Sequence, residues 1–201
     1  MAGRGARDAL ALLAMAWIWA LAQGRKIAVY CSDVSGAFDK VSAVRLLYKL
    51  KRWGVHPRFL RVMASWLRPR RAQVVVGGAS SQEFTMSNIM YQGTVWGPSL
   101  WNTFFADCAS VLQRLSFKDI FYADDLNSYK SFAASVPDSA IFGELETAQK
   151  ELHKWGAANQ VTFDPGKESF HILSRTRPAG ASFTILGITF DCKLLMQETV
   201  H

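Results

Sequence analysis

Phe121-Tyr122-Ala123-Asp124-Asp125-Leu126 sets two adjacent carboxylates inside a run of aromatic and aliphatic residues, a juxtaposition that the fold must accommodate. Ile120 to Ala123 has the character of a buried strand and Leu126 to Tyr129 can return beside it, so Asp124-Asp125 falls at the tip of a tight hairpin. Neighbouring anions repel unless solvent or a cation compensates them. One reading is an exposed turn whose aspartates bond their own backbone. The other is a hairpin tip that holds divalent cations, which prefer hard carboxylate oxygens. A third carboxylate elsewhere decides between them.

Ile27-Ala28-Val29-Tyr30-Cys31 leads to that third carboxylate. The run is continuously apolar, as suits a strand covered on both faces, and Asp33 sits at its carboxyl end. A helix is expected from about Ser42, with Val44, Leu47 and Leu50 on one face, Asp39 capping it and Gly54 as its stop. Pro57 opens a second helix carrying Leu60, Met63 and Leu67. Gln73 to Val76 and Gln82 to Met86 read as a hairpin about Gly77-Gly78. A loop, Tyr91 to Pro98, leads into an apolar helix from Ser99 through Leu112.

Beyond the Asp124-Asp125 hairpin, Pro137 and Asp138 introduce an amphipathic helix with Ile141, Leu145, Ala148, Leu152 and Trp155 on its apolar face. A turn at Asp164-Pro165-Gly166-Lys167, a strand Ser169 to Ser174 and a strand Phe183 to Phe190 complete the pattern. The alternation predicts an α+β fold, an antiparallel sheet with helices packed on one face. Asp33 placed beside Asp124-Asp125 gives three carboxylates at one sheet edge. Such a set can hold two magnesium ions roughly 3.5 to 4 Å apart and suits phosphoryl transfer.

At 201 residues, half of them hydrophobic, the chain can bury a substantial core, which excludes disorder as its default state. A net charge of +7 favours an acidic polymer as partner. Between Asp39 and Glu83 there is no acidic residue, while Arg45, Lys49, Lys51, Arg52, Arg58, Arg61, Arg68, Arg70 and Arg71 all fall there. A solvated face normally mixes signs, so this segment points to nucleic acid.

Cys31, Cys108 and Cys192 are odd in number and far apart, with no zinc or disulfide spacing, and the four histidines have no metal-ligand spacing. A reducing compartment is the simpler inference. Arg4 and Arg7 precede the apolar run Ala9 to Ala22, a layout shared by secretory signals. The run is short for a bilayer span and continues straight into a strand, which favours a buried helix packed on the sheet and no stable membrane association.

On these residues the chain resembles the palm of reverse transcriptases, most closely the non-LTR retrotransposon type, from about Ala9 to Leu194. Asp33-Val34-Ser35-Gly36-Ala37-Phe38-Asp39 is similar to the family's first metal-binding motif. Gln92 to Pro98, with Asn102 and Asp107, is similar to its substrate-side loop and helix. Tyr122-Ala123-Asp124-Asp125 is similar to its hairpin, Trp155 to Lys167 to the helix and lysine turn that follow, and Leu186-Gly187-Ile188 to its primer-grip strand. Four positions depart from the family pattern: Tyr91, Trp96, Asp164 and Glu168. None of the four is a metal ligand.

The resemblance implies an RNA-directed DNA polymerase whose substrates are an RNA template, a DNA primer and deoxynucleoside triphosphates. It implies two magnesium ions, with manganese as a substitute. Asp33 and Asp124 would be the principal ligands, Asp125 a supporting one, and the Val34 carbonyl a further one. Phe38 would lie under the sugar and exclude a 2′-hydroxyl, Gln92 and Gly93 would line the nucleotide pocket, and Lys167 would protonate or offset the departing pyrophosphate.

The same resemblance implies one partial domain over 1–201, without most of the fingers and without the thumb. From that follows the expectation that the isolated chain polymerises poorly, and nuclear action is what such elements imply. The alternatives are a noncatalytic nucleic-acid-binding relic and, less in keeping with the basic helices, a nucleotide cyclase.

Overall fold

The computed structural model describes residues 5–86, 90 and 93–195. Its elements begin with α1 (Ala6–Ala22), β1 (Lys26–Asp33), a 3-10 turn (Phe38–Lys40), α2 (Ala43–Arg52) and α3 (Pro57–Trp66). Four short strands follow, β2 (Arg70–Ala72), β3 (Val75–Val76), β4 (Ala79–Ser80) and β5 (Phe84–Met86), and then α4 (Gly97–Arg114). The last are β6 (Lys118–Tyr122), β7 (Asp125–Phe132), α5 (Asp138–Asn159), β8 (Ser169–Leu173), β9 (Phe183–Ile185) and β10 (Ile188–Phe190). The chain forms two compact units, one of residues up to Ser35, Cys108–Ala157 and Thr162 onward, the other of Gly36–Asp107 and Ala158–Val161.

The first unit holds an antiparallel sheet in the order β6-β7-β1-β8. All eight residues of β1 are buried, as its apolar run predicts for a strand covered on both faces. On one face Ile27, Val29 and Cys31 join Leu10, Leu13 and Trp17 of α1 and Phe183 and Phe190 of the β9–β10 hairpin. Trp17 anchors this layer edge-on to Tyr129, Phe183 and Phe190, with ring centroids 6.1, 6.0 and 5.5 Å away. The run from Ala9 to Ala22 is therefore a helix packed on the sheet, and among the described residues no helix is long and apolar enough to cross a membrane.

On the other face three polar ties reach α5 and its approach. Lys26 Nζ meets Asp138 Oδ1 at 2.6 Å, Lys130 Nζ meets Glu144 Oε2 at 2.8 Å, and Tyr30 hydroxyl donates to Glu168, which His153 of α5 also engages. Ile141, Leu145, Ala148 and Leu152 are fully buried, so the predicted apolar face of α5 is present. The class is the expected α+β with an antiparallel sheet. Its layering is fuller than one helical face, because α1 covers the side opposite α5.

Three local expectations are corrected. β6 is partly exposed rather than buried, because it is an edge strand with β7 as its one neighbour. Phe183 to Phe190 is not one strand but the β9–β10 hairpin, turning at Leu186 (φ +50°) and Gly187 (φ +80°). Of the expected face of α2, Leu50 is buried and Leu47 half-buried, but Val44 is 78% exposed, and Leu46 and Lys49 are buried in its place.

The second unit pairs α2 with α3, and the expected hairpin of Gln73 to Val76 with Gln82 to Met86 is corrected: Val75–Val76 turns back on Ala79–Ser80, while Phe84–Met86 pairs with Arg70–Ala72. Gly77 and Gly78 turn the β3–β4 hairpin with φ +59° and +83°, a conformation that glycine adopts without steric cost. Trp101 stacks on Phe105 at 4.9 Å and lies 5.7 Å from the ring of Phe38. Lys49, counted above among the surface cations, is buried and bonds Phe104 O at 2.6 Å and Asp107 Oδ1 at 2.7 Å. The three cysteines, all of the first unit, are buried and form no disulfide among the described residues.

Candidate active site

The carboxylates meet at the end of the β1–β7 ladder. Asp33, the last residue of β1, is the Cα partner of Asp125, the first residue of β7, and Tyr122 pairs with Asp125 from the other side. The two-residue tip is therefore Ala123-Asp124, one residue earlier than the expected Asp124-Asp125. Ala123 takes φ +55°, a conformation costly for a residue with a Cβ. Asp33 is buried, whereas at the tip Ala123 is exposed and Asp124 half-buried.

Partners across an antiparallel ladder lie about 4.5 to 5.5 Å apart at Cα, and like charges directly opposite are destabilising. Asp125 registers this repulsion: burial first, then the charges of Asp33 and Asp124, push its carboxyl above the ordinary range, and Lys167 works against them.

Lys167 is the cation that answers the cluster. Its ammonium donates to Asp33 Oδ2, a bond that raises the lysine above its ordinary range. The lysine side chain is 62% exposed, so the pair is weak and exchangeable. The turn that presents it is fastened to β1. Asp164 N donates to Asp33 O at 2.9 Å, Lys167 N to Asp164 O at 3.0 Å, and Gly166 N to Asp164 Oδ1 at 3.0 Å.

Val34 bridges Phe163, with the flanking bonds made by Asp164 N to Asp33 O and by Ser35 N to Thr162 O at 2.9 Å. In that pattern the Val34 carbonyl faces away from residues 162–164, toward the β7 side of the strand.

Sequence reasoning missed the support behind this turn. Glu168 has a side chain only 6% exposed. It accepts from Tyr30 hydroxyl and lies 2.9 Å from His153 Nε2, and His153 stacks on Phe163 with centroids 5.4 Å apart. Asp164 and Glu168, departures from the family pattern, thus hold the lysine turn in place. No local signal marks Tyr30 or His153, since the residues they join are far apart in the chain. Beside the carboxylates a cavity of about 340 Å³ is lined by Cys31, Asp33, Asp125, Lys167, His171 and Thr184 among others. Burial pushes the Cys31 thiol up to about 12 and the His171 imidazole down to about 4, so at neutral pH both are uncharged.

Phe38 and Gly93 belong to the second unit: Phe38 is half-buried against Trp101, and Gly93 is exposed with φ +80°. Gln92 lies outside the described residues. Among the described residues no three carboxylate, imidazole or thiolate groups are gathered into a complete ligand set. Magnesium does not require one, because it is commonly held by one or two carboxylates together with water and substrate phosphates. A lysine ammonium on Asp33, opposite a carboxylate whose proton affinity is raised by its neighbours, marks an edge that takes a cation. The donor set fits in that sense.

The family model for "Reverse transcriptase (RNA-dependent DNA polymerase)" matches residues 12–190. The chain is 30% identical over 188 residues to an RNA-directed DNA polymerase from the mobile element jockey of Drosophila melanogaster, a match covering 84% of this chain and 20% of the relative. It is 24% identical over 201 residues to the Pol polyprotein of a type-1 retrotransposable element R2 of Popillia japonica, covering 89% and 33%. The chain thus spans about a fifth of the length of the jockey relatives it matches.

Among solved structures, apo telomerase from Candida tropicalis truncated from its C-terminal domain aligns with a TM-score of 0.66 at 9% identity, over 92% of this chain and 38% of that one. Telomerase from Candida albicans with a fragment of telomeric RNA aligns at 0.56 and 11% identity, over 94% and 33%. At these identities the likeness concerns the fold.

Proposed function

Because the chain belongs to the reverse transcriptase family, we propose that it is the palm of an RNA-directed DNA polymerase of the non-LTR retrotransposon type, with Asp33, Asp124 and Asp125 as its catalytic carboxylates. The observation that carries this reading is the rung in which Asp33 faces Asp125, with Asp124 at the adjoining tip. Asp33 and Asp124 are assigned as the principal ligands, Asp125 as support and the Val34 carbonyl as a further oxygen. What a bound pair of magnesium or manganese ions supplies there is a more nucleophilic primer 3′-hydroxyl and charge stabilisation on the triphosphate.

The chain's own residues do the rest. Lys167 is held to Asp33 by an exposed and exchangeable bond, which it would give up if a cation were to occupy that oxygen. Its ammonium is then free to neutralise the departing pyrophosphate or to give it a proton. The Glu168 anchor under the turn limits how far Lys167 travels. Phe38, packed on Trp101, is assigned to the floor under the sugar, where a fixed ring excludes a 2′-hydroxyl. Gly93, with Gln92, is assigned to the nucleotide pocket. An RNA template, a DNA primer and deoxynucleoside triphosphates are the corresponding substrates.

The test is extension of a DNA primer on an RNA template, with Mg2+ or Mn2+ titrated, by the wild type and Asp124→Ala, with RNA binding measured alongside. Extension lost in the variant while RNA binding is kept supports catalysis; even a weak signal that depends on Asp124 suffices. RNA binding without cation-dependent extension in either protein favours a noncatalytic nucleic-acid-binding relic, the second reading that the exposed arginines of the second unit support.

A further inference from the structure

One exposed face of α2 interleaves cations and rings. Arg45, Tyr48, Lys49 and Arg52 recur at helical spacing, and Trp53 follows as the residue that closes the helix. Together with Asp107 and Asn159 they line a half-open groove of about 460 Å³ that lies wholly within the second unit and contains none of the residues assigned to catalysis.

Two layers of the groove differ in character. Its floor is fixed: Lys49 is buried, bonded to Asp107 and to Phe104 O, and lies 4.4 Å above the Phe104 ring. Asp107 is the one acidic residue of the lining, and Lys49 neutralises it. Its rim is open. Tyr48 and Trp53 are 60% and 64% exposed, and Arg45 and Arg52 have no carboxylate partner among the described residues.

A solvated helical face has no use for two exposed rings beside two uncompensated guanidinium groups. Single-stranded nucleic acid has a use for both, because unpaired bases stack on aromatic faces while arginines meet the phosphates. A duplex hides its base faces and gains only the charge. An acidic peptide gains the charge but nothing comparable from the rings.

We propose that the Arg45–Tyr48–Arg52–Trp53 groove is a binding site for single-stranded nucleic acid, with bases stacked on Tyr48 and Trp53 and phosphates held by Arg45 and Arg52. The site rests on the reading that the chain works on nucleic acid, and it is independent of the carboxylates. The fixed capping geometry keeps the rings in register: Trp53 N bonds Lys49 O at 3.0 Å, and Gly54 turns the chain away with φ +81°.

The test uses the full chain in EDTA, so that the carboxylate site is silent, and reads the fluorescence anisotropy of a labelled 12-nucleotide single-stranded RNA and of the same sequence as a duplex. The wild type should prefer the single strand. Trp53→Ala should weaken it by about tenfold and Trp53→Phe by much less. Arg45→Gln with Arg52→Gln should reduce the salt slope of binding by about 1.4. Since all four side chains are exposed, unchanged thermal midpoints show that these variants fold. The proposal is overturned if the wild type does not bind, if the duplex binds as tightly as the single strand, if polyglutamate displaces RNA as well as unlabelled RNA does, or if the substitutions leave binding unaltered. Loss of extension in Asp124→Ala with this binding intact would separate the fate of the groove from that of the polymerase site.

Discussion

Asp33 and Asp125 close the β1–β7 ladder as directly opposed carboxylates, so the sheet itself brings like charges together at its end. A fold tolerates such a rung when a cation is available, and in this structure Lys167 provides one.

Asp125→Asn removes one of the opposed charges. In a chelator the variant should be more stable than the wild type by about 0.5 kcal/mol, the cost typical of a cross-strand charge pair. Because the Asp125 carboxyl is raised above the ordinary range, the unfolded chain gives up that proton first. The penalty therefore grows as pH rises through the raised range and is absent below the ordinary one. Urea midpoints with and without Mn2+ check both parts: the variant gains stability in chelator and loses part of the stabilisation by Mn2+.

Lys167→Met frees Asp33 from its ammonium. The pair is exposed and weak, so Mn2+ should bind about threefold more tightly to the variant, while primer extension falls. Calorimetric titration of Mn2+ reads the first effect and an extension assay the second.

His171 is buried against Phe183, ring centroids 4.1 Å apart, and burial lowers its pKa to about 4 from 6.5. Above pH 6.5 the imidazole is neutral in both states and costs nothing. As pH falls from 6.5 toward 4 the unfolded chain takes the proton first, so stability drops, by about 3 kcal/mol in full. The variant His171→Gln should flatten the denaturation midpoint over that interval relative to the wild type.

Tyr30→Phe deletes the hydroxyl that donates to buried Glu168. The change should cost about 1 to 3 kcal/mol, since it leaves a desolvated carboxylate short of a partner. Urea denaturation measures the loss.

The strand ending in Asp33, the apolar face of α5 and the lysine turn were all legible in the sequence, because each is written in a local period or a turn residue; the hairpin bearing Asp124 was legible too, but its tip lies one residue earlier than expected, at Ala123-Asp124. The hairpin at Leu186-Gly187 was not, since a leucine at positive φ carries no turn signal of its own. Lys49 read as a surface cation because charge patterning does not reveal Asp107, which neutralises it from another helix. The tie from Tyr30 through Glu168 to His153 spans 138 residues, and its polar groups meet only in the tertiary fold. Gln92 lies outside the described residues, so its expected place at the nucleotide pocket rests on the resemblance.

The proposed polymerase site requires that the Asp33–Asp124–Asp125 edge hold divalent cations. Its most direct test is Mn2+ binding by the wild type, Asp33→Asn and Asp124→Asn, followed by electron paramagnetic resonance of the free ion, with circular dichroism to confirm that each protein is folded. The wild type should bind Mn2+ saturably and each substitution should weaken that binding at least tenfold; equal binding by all three folded proteins would rule the metal site out.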